Sequence, residues 1–222
     1  MSDSPRDQLA LQLTEAVAEA LRVDLTRQDN ALLVVSGGST PVPFFEALAA
    51  CDLPWERLQV TLADERWVAE DAEDSNARLV REHLLQGPAA AASFVSLTTA
   101  DATPEQGAVA VAERVAGLAW PASVVILGMG GDGHTASLFP DSQELPLALA
   151  TDAPAVAVRS PSQPQPRITL SADRLHQARR HVLHITGDDK RGVLARALSG
   201  DDARELPIRA FLACPLATYW AP

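Results

Sequence analysis

Lysine is almost missing from this chain: Lys190 is the only one among 222 residues, and arginine supplies the rest of the 18 basic side chains. Against 29 acids the formal net charge is -11, which excludes nucleic acid as the default partner, because a phosphate backbone needs a basic face. An anionic ligand would have to meet cations placed locally. Cysteine is scarce as well, and Cys51 and Cys214 do not make a disulfide framework, so a cytoplasmic setting is expected. Long apolar runs are absent. The most hydrophobic stretch, Val115 to Met129, is broken by Pro121 and Ser123 and falls short of the roughly 20 residues of a spanning helix, so no membrane partner is expected. The N-terminal segment MSDSPRDQLALQL has acids where a secretory leader has bases, and no leader is expected.

What is present fits a soluble globular class, with 47% hydrophobic and 21% charged residues. At roughly 100 to 200 residues per domain, residues 1–222 are expected to form one α/β domain. Leu9, Leu13, Val17, Ala20 and Leu21 recur at helical spacing behind Ser4 as N-cap and Pro5 at the first position, predicting a helix from Pro5 to about Arg27. Ala31 to Val35 is an unbroken apolar run ending in Ser-Gly-Gly, the pattern of a strand buried on both faces. Further strands are expected near Leu58 to Leu62, Phe94 to Ser96, Val124 to Leu127, Ala155 to Val158, Ile168 to Leu170 and His181 to Ile185. Helices are expected over Val42 to Ala50, Ser75 to Leu85, Pro104 to Gly117, Ala172 to Ala178 and Asp188 to Leu198, with a Thr103–Gln106 capping box and Gly200 as a C-cap. The alternation predicts one mostly parallel, Rossmann-like sheet covered by helices on both sides. Ser160 to Pro166 (SPSQPQP) contains a P-x-x-P spacing but reads as a rigid loop feeding the next strand.

Two glycine-rich turns follow buried strands. In SGGSTP (Ser36 to Pro41) the glycines free backbone N–H groups to converge, the hydroxyls add donors and a helix follows, which describes a phosphate cradle; a plain turn with Ser39 or Thr40 as N-cap weighs about equally. LGMGGDGH (Leu127 to His134) satisfies G-x-G-x-x-G at Gly128, Gly130 and Gly133, but Pro140 stops any following helix and Asp152 precedes the next strand, so the dinucleotide reading fails. That leaves Asp132 and His134 exposed in a turn, where histidine suits a general base. An Asp-x-His pair lacks a third ligand at metal spacing, and no metal or cofactor is expected. His83, His181 and His184 read as packing or surface residues, and His176 as surface. Asp64, Glu65 and Arg66 at the end of a third strand are expected to form a second wall of the site. No G-x-S-x-G corner is present for a serine hydrolase.

In order, SGGSTP, DERWV, SNARLVREHLL, LGMGGDGHTASLFP and PRITLS resemble the 6-phosphogluconolactonase family, over a span from the first helix to about Leu198. The resemblance implies a three-layer α/β/α domain shared with glucosamine-6-phosphate deaminases, and hydrolysis of 6-phosphogluconolactone to 6-phosphogluconate in the oxidative pentose phosphate pathway. Deaminases continue the second turn as H-I-A-F-N-E-P, with a glutamate that moves protons; here Phe139 stands in that place, and Arg66 stands where deaminases tend to carry tyrosine. Family members commonly carry lysine in the proline-rich loop, where this chain has Ser162 and Gln163.

On this resemblance the expected partner is a phosphorylated sugar lactone, with monomer and dimer both open. His134 would be the general base for an attacking water, with no covalent intermediate, and Asp132 would hold the imidazole. Backbone N–H groups of the glycine turns, Gly130 and Gly131 among them, would meet the oxyanion. Ser36, Gly37, Gly38, Ser39 and Thr40, with Arg167 and Lys190, would hold the phosphate. Arg66 would serve either phosphate or carbonyl, and Asp64 the sugar hydroxyls. The readings to be set against this one are a deaminase-like isomerase and a non-catalytic sugar-phosphate sensor.

Overall fold

The computed structural model describes residues 4–222; the first three residues of the acidic N-terminal segment lie outside the described residues. In chain order the strands are β1 (Ala31–Val35), β2 (Leu58–Leu62), β3 (Asp64–Arg66), β4 (Ser93–Val95), β5 (Val124–Leu127), β6 (Ala155–Val158), β7 (Arg167–Leu170), β8 (His181–Thr186) and β9 (Leu216–Ala221). The helices are α1 (Pro5–Leu25), α2 (Val42–Ala49), α3 (Asn76–His83), α4 (Pro104–Ala116), α5 (Leu145–Ala150), α6 (Ala172–His176), α7 (Asp188–Leu198) and α8 (Arg209–Leu212). Ser4 caps α1 by accepting from the Asp7 N–H, and Ser75, Thr103 and Ser171 cap α3, α4 and α6 in the same way. The C-cap of α7 is Ser199, one residue before Gly200.

Six strands form a wholly parallel sheet in the order β4-β2-β1-β5-β8-β9. Every residue of β1 and β5 is buried, as continuous apolar strands covered on both faces must be. Helix α1 packs on β1, β5 and β9, and α7 packs on β8. The chain works outward from β1 to β4, returns beside β1 as β5, and works outward the other way. β1 and β5 therefore flank a topological switch point, the place where open parallel sheets hold ligands at their C-terminal ends.

β6 and β7 do not join this sheet. With β3 they form a separate antiparallel sheet, in the order β3-β7-β6. Residues 159–166 are too few for a parallel crossover, which needs about a dozen or more, so the proline-rich loop closes a hairpin instead. Ala63 is the hinge: its N–H donates to Val35 in the large sheet and its carbonyl accepts from Leu170 in the small one. The chain thus passes from β2 into β3 and carries Asp64 and Arg66 over the switch point. β9, α5 and α8 are further elements the sequence pattern does not announce, and β9 is a partly exposed edge strand without a continuous apolar run.

In the middle of β8, burial holds the His184 ring down at about 4, from an ordinary value of 6.5. Below pH 6.5 the unfolded chain takes up a proton that the folded chain refuses, so stability declines as pH falls from 6.5 toward about 4. The full effect is about 3 kcal/mol. Urea midpoints measured across this window are expected to fall in the unmodified protein and to fall less in His184→Leu; the same pH dependence in both would remove His184 as the cause.

Candidate active site

The Ser36–Thr40 loop, Asp64, Arg66, Gly130, His134, Arg167 and Lys190 all line one cavity of about 330 Å³ at the switch point. That volume suits a small ligand. The loop after β1 and the loop after β5 are laced together, because Ser36 Oγ donates to the Ile126 carbonyl at 3.0 Å and accepts from the Gly128 N–H at 3.3 Å. Ser36 is therefore a tether between the strands and is not a free donor. Gly38, at φ 92°, turns the loop through the left-handed region. Helix α2 starts after Pro41 without any side-chain cap, so neither Ser39 nor Thr40 plays the N-cap part. Thr40 Oγ1 instead lies 3.4 Å from Thr186 Oγ1, and the Gly37 to Thr40 N–H groups make no hydrogen bond among the described residues.

Within the second turn, Asp132 Oδ1 lies 2.6 Å from His134 Nδ1 and accepts the His134 backbone N–H at 3.1 Å. Burial raises the Asp132 pKa, but the hydrogen bonds and charge of His134 outweigh it and the carboxyl is held below its ordinary value. An ionised Asp132 keeps a proton on Nδ1 and leaves Nε2 as the free acceptor. A Cβ at residue 130 would overlap both side chains, so Gly130 is what lets the pair lie against the turn. The Gly130 N–H donates to the His134 carbonyl at 2.8 Å, and Gly131 is exposed outside the cavity lining. The tight turn consumes the Gly130 N–H, so that group is not free for the oxyanion role expected of it, and Gly131 stands outside the cavity lining. The Phe139 ring, fully buried, packs against His134 at 4.5 Å between centroids.

The small sheet supplies the opposite wall. Arg66 and Arg167 are direct partners across β3 and β7, a like-charged pairing that is unfavourable by itself. Arg167 is 7% exposed, its Nη2 donates to Gln163 at 2.7 Å, and its Nη1 lies 3.7 Å from Asp64 Oδ2. Burial lowers the Arg167 pKa, with Asp64 opposing and Arg66 adding to the shift. The proline-rich loop thus reaches the arginine with the Gln163 amide. Asp64 Oδ2 also accepts from Ser137 Oγ at 2.5 Å, which ties the His134 turn to β3. Ala136, at φ 48°, makes the bend between them in a region that non-glycine residues rarely occupy.

Glu65 does not reach the cavity. It is fully buried and accepts the N–H groups of Arg66, Asn76 and Ala77 and the Ser75 hydroxyl, thereby closing the start of α3. Burial raises its pKa, with those N–H groups opposing. Asn76, placed by this clasp, donates to the Asp64 carbonyl at 2.9 Å and lines the cavity. Asp188 pairs with Arg191 at 3.0 Å, leaving half-buried Lys190 without an ion pair among the described residues. Polar side chains at the cavity that sequence reasoning left out of the site are Asn76, Thr135, His184 and Thr186, with Ser137 just behind it. Thr186 carried a signal, a hydroxyl at a strand's C-terminal end; Asn76 did not, since it reads as an ordinary first helical residue. His176, expected at the surface, is half-buried: its Nε2 meets the Ala210 carbonyl at 2.9 Å and its ring lies on Phe211. Both cysteines are free, and among the described residues no helix is long and apolar enough to cross a membrane.

Residues 4–220 match the family described as glucosamine-6-phosphate isomerases/6-phosphogluconolactonase. A 6-phosphogluconolactonase of Pseudomonas aeruginosa is 46% identical over 212 residues, 95% of this chain and 89% of that protein. The crystal structure of a 6-phosphogluconolactonase from Shewanella baltica superposes with a TM-score of 0.97 at 44% identity, covering 100% of this chain and 96% of that one. A monomeric glucosamine-6-phosphate deaminase superposes with a TM-score of 0.77 at 16% identity, over 100% of this chain and 95% of that one, a likeness of fold alone. With its motifs in order around one cavity at the switch point, the chain belongs to the glucosamine-6-phosphate isomerase/6-phosphogluconolactonase family.

Proposed function

We propose that this protein hydrolyses 6-phospho-D-glucono-1,5-lactone to 6-phospho-D-gluconate, in the cytoplasm, as a step of the oxidative pentose phosphate pathway. The observation that carries the reading is the Asp132–His134 pair beside Phe139. A base is present, while the glutamate of the deaminase pattern is replaced by an apolar ring that cannot move a proton.

His134 Nε2 accepts a proton from a water as the water oxygen bonds to the lactone carbonyl carbon. Asp132, hydrogen-bonded to Nδ1, stabilises the imidazolium that forms. The tetrahedral intermediate then collapses, the bond to the ring oxygen breaks, and His134 returns its proton to that oxygen, so one water is consumed and the base is restored. Arg66, whose Nη1 is anchored to the Asp74 carbonyl, is the cation nearest in role to the developing oxyanion. The phosphate is held by the unpartnered Gly37 to Thr40 N–H groups, Lys190 and Arg167, where an anion also offsets the repulsion between Arg167 and Arg66. Asp64, engaged by Ser137 and Arg167, serves to position that wall rather than to act on substrate.

General-base catalysis contributes about 100- to 10,000-fold, so His134→Ala is expected to lower kcat by that factor in acid release from freshly made lactone, corrected for spontaneous hydrolysis. Asp132→Asn is expected to lower kcat less, by weakening the hold on the ring. An unchanged rate in His134→Ala would overturn the base assignment. In parallel, glucosamine 6-phosphate is expected to release no ammonia; turnover there with none on the lactone would favour the deaminase, and binding of 6-phosphogluconate without turnover of either would favour a sensor. Lys190→Met is expected to raise KM about 10-fold or more with a smaller change in kcat, the loss of a charge-assisted hydrogen bond.

A further inference from the structure

Each of the five histidines except one has a polar partner. His134 meets Asp132 at 2.6 Å, His83 meets Glu46 at 2.9 Å, and His176 and His181 meet the carbonyls of Ala210 and Leu175 at 2.9 and 3.0 Å. His184 has none. It is 5% exposed, its Nδ1 is buried without a partner, and its ring stands edge-on to Phe44 of α2. A position that served packing alone would suit an apolar side chain, and an unpaired buried ring nitrogen calls for another explanation.

The placement of His184 supplies one. On β8 it shares a face with Thr186, two residues on, and both line the cavity beneath the loop whose Thr40 hydroxyl approaches Thr186. Lys190 lines the same cavity. Since Nδ1 is shut away, Nε2 is the nitrogen through which this ring can meet a ligand, and a neutral ring with its proton there is a donor.

We infer that His184 is a further phosphate-binding residue, donating its Nε2–H to a phosphate oxygen from the floor of the cavity. This rests on the reading that the Ser36–Thr40 loop and Lys190 hold the phosphate. The neighbours favour a phosphate over a sugar hydroxyl: the Thr40 and Thr186 hydroxyls, 3.4 Å apart, and the Lys190 ammonium line the same cavity and can donate, which suits a group rich in acceptor oxygens. Burial keeps the ring uncharged at neutral pH, so it adds a hydrogen bond without placing a second cation beside Lys190.

The test uses inorganic phosphate as probe, with binding measured by calorimetry on the unmodified protein and on His184→Leu, His184→Gln and Lys190→Met. Loss of one hydrogen bond to a charged group is expected to weaken phosphate binding about 10-fold in His184→Leu and to raise KM for the lactone similarly, with kcat within about twofold. His184→Gln, whose amide can replace the ring donor, is expected to recover most of that loss. In the unmodified protein the His184 ring nitrogen resonance, assigned by its absence from His184→Gln, is expected to shift as phosphate is added. That readout does not depend on any variant folding, and a resonance unmoved at saturation would overturn the inference. Weaker binding in Lys190→Met with unchanged binding in both His184 variants would overturn the inference and leave the phosphate reading standing. Unchanged binding in all three variants would overturn both.

Discussion

The seam between β1 and β5 is the constraint on which the rest of the site depends. The two strands run side by side in the same direction, yet the chain departs from them toward opposite halves of the sheet. Their outgoing loops cannot fill the space between them, and a crevice at the C-terminal ends follows. Ser36 closes its base by bonding to the Ile126 carbonyl of β5 and to the Gly128 N–H just beyond it, which sets the spacing between the loop whose N–H groups are unpartnered among the described residues and the turn that carries His134. Either glycine turn without that seam would be a turn and nothing more.

The small antiparallel sheet is the second condition. Folding at Ala63 lays β3 and β7 over the crevice and sets Arg66 opposite Arg167, a pairing that a free strand pair would avoid. Asp64, itself buried, lies beside Arg167 and offsets part of the repulsion, and Ser137 holds that carboxylate in place from the His134 turn. The two walls are therefore coupled through this buried carboxylate and through the Ser137 N–H, which donates to Thr169 Oγ1 of β7 at 3.3 Å. The acidity of the chain as a whole does not contradict an anionic ligand. Cations gathered at one cavity, with a helix start and free N–H groups, set the local potential whatever the net charge.

Much of this was legible in the residues. Continuous apolar strands, capping serines and glycine-rich strand exits announce parallel α/β architecture, and they do so because each is a local demand: a helix start needs a cap, and a strand buried on both faces needs apolar residues throughout. The hairpin of β6 and β7 was also open to reading, since residues 159–166 are too few for a crossover, but an apolar strand carries no mark of which sheet it joins. Asn76, Ser137 and His184 were not legible. Each sits in a local pattern, a helix start, a turn or an apolar strand, that has an ordinary explanation.

By itself the sequence determined the order of most elements, the two glycine turns and the chemical kind of the site: a histidine beside an aspartate, and few cations in an acidic chain. Only the tertiary structure decided what those groups do to one another. It made Ser36 a tether, left Gly131 outside the cavity lining, committed the Gly130 N–H to its own turn, set two arginines face to face and brought a buried histidine to the cavity wall. The physical reason is range. Caps, turns and apolar runs are satisfied within a few residues, whereas hydrogen-bond partners and opposed charges here come from positions such as 64 and 137 or 36 and 126, whose meeting is settled by sheet order and by the fold at Ala63.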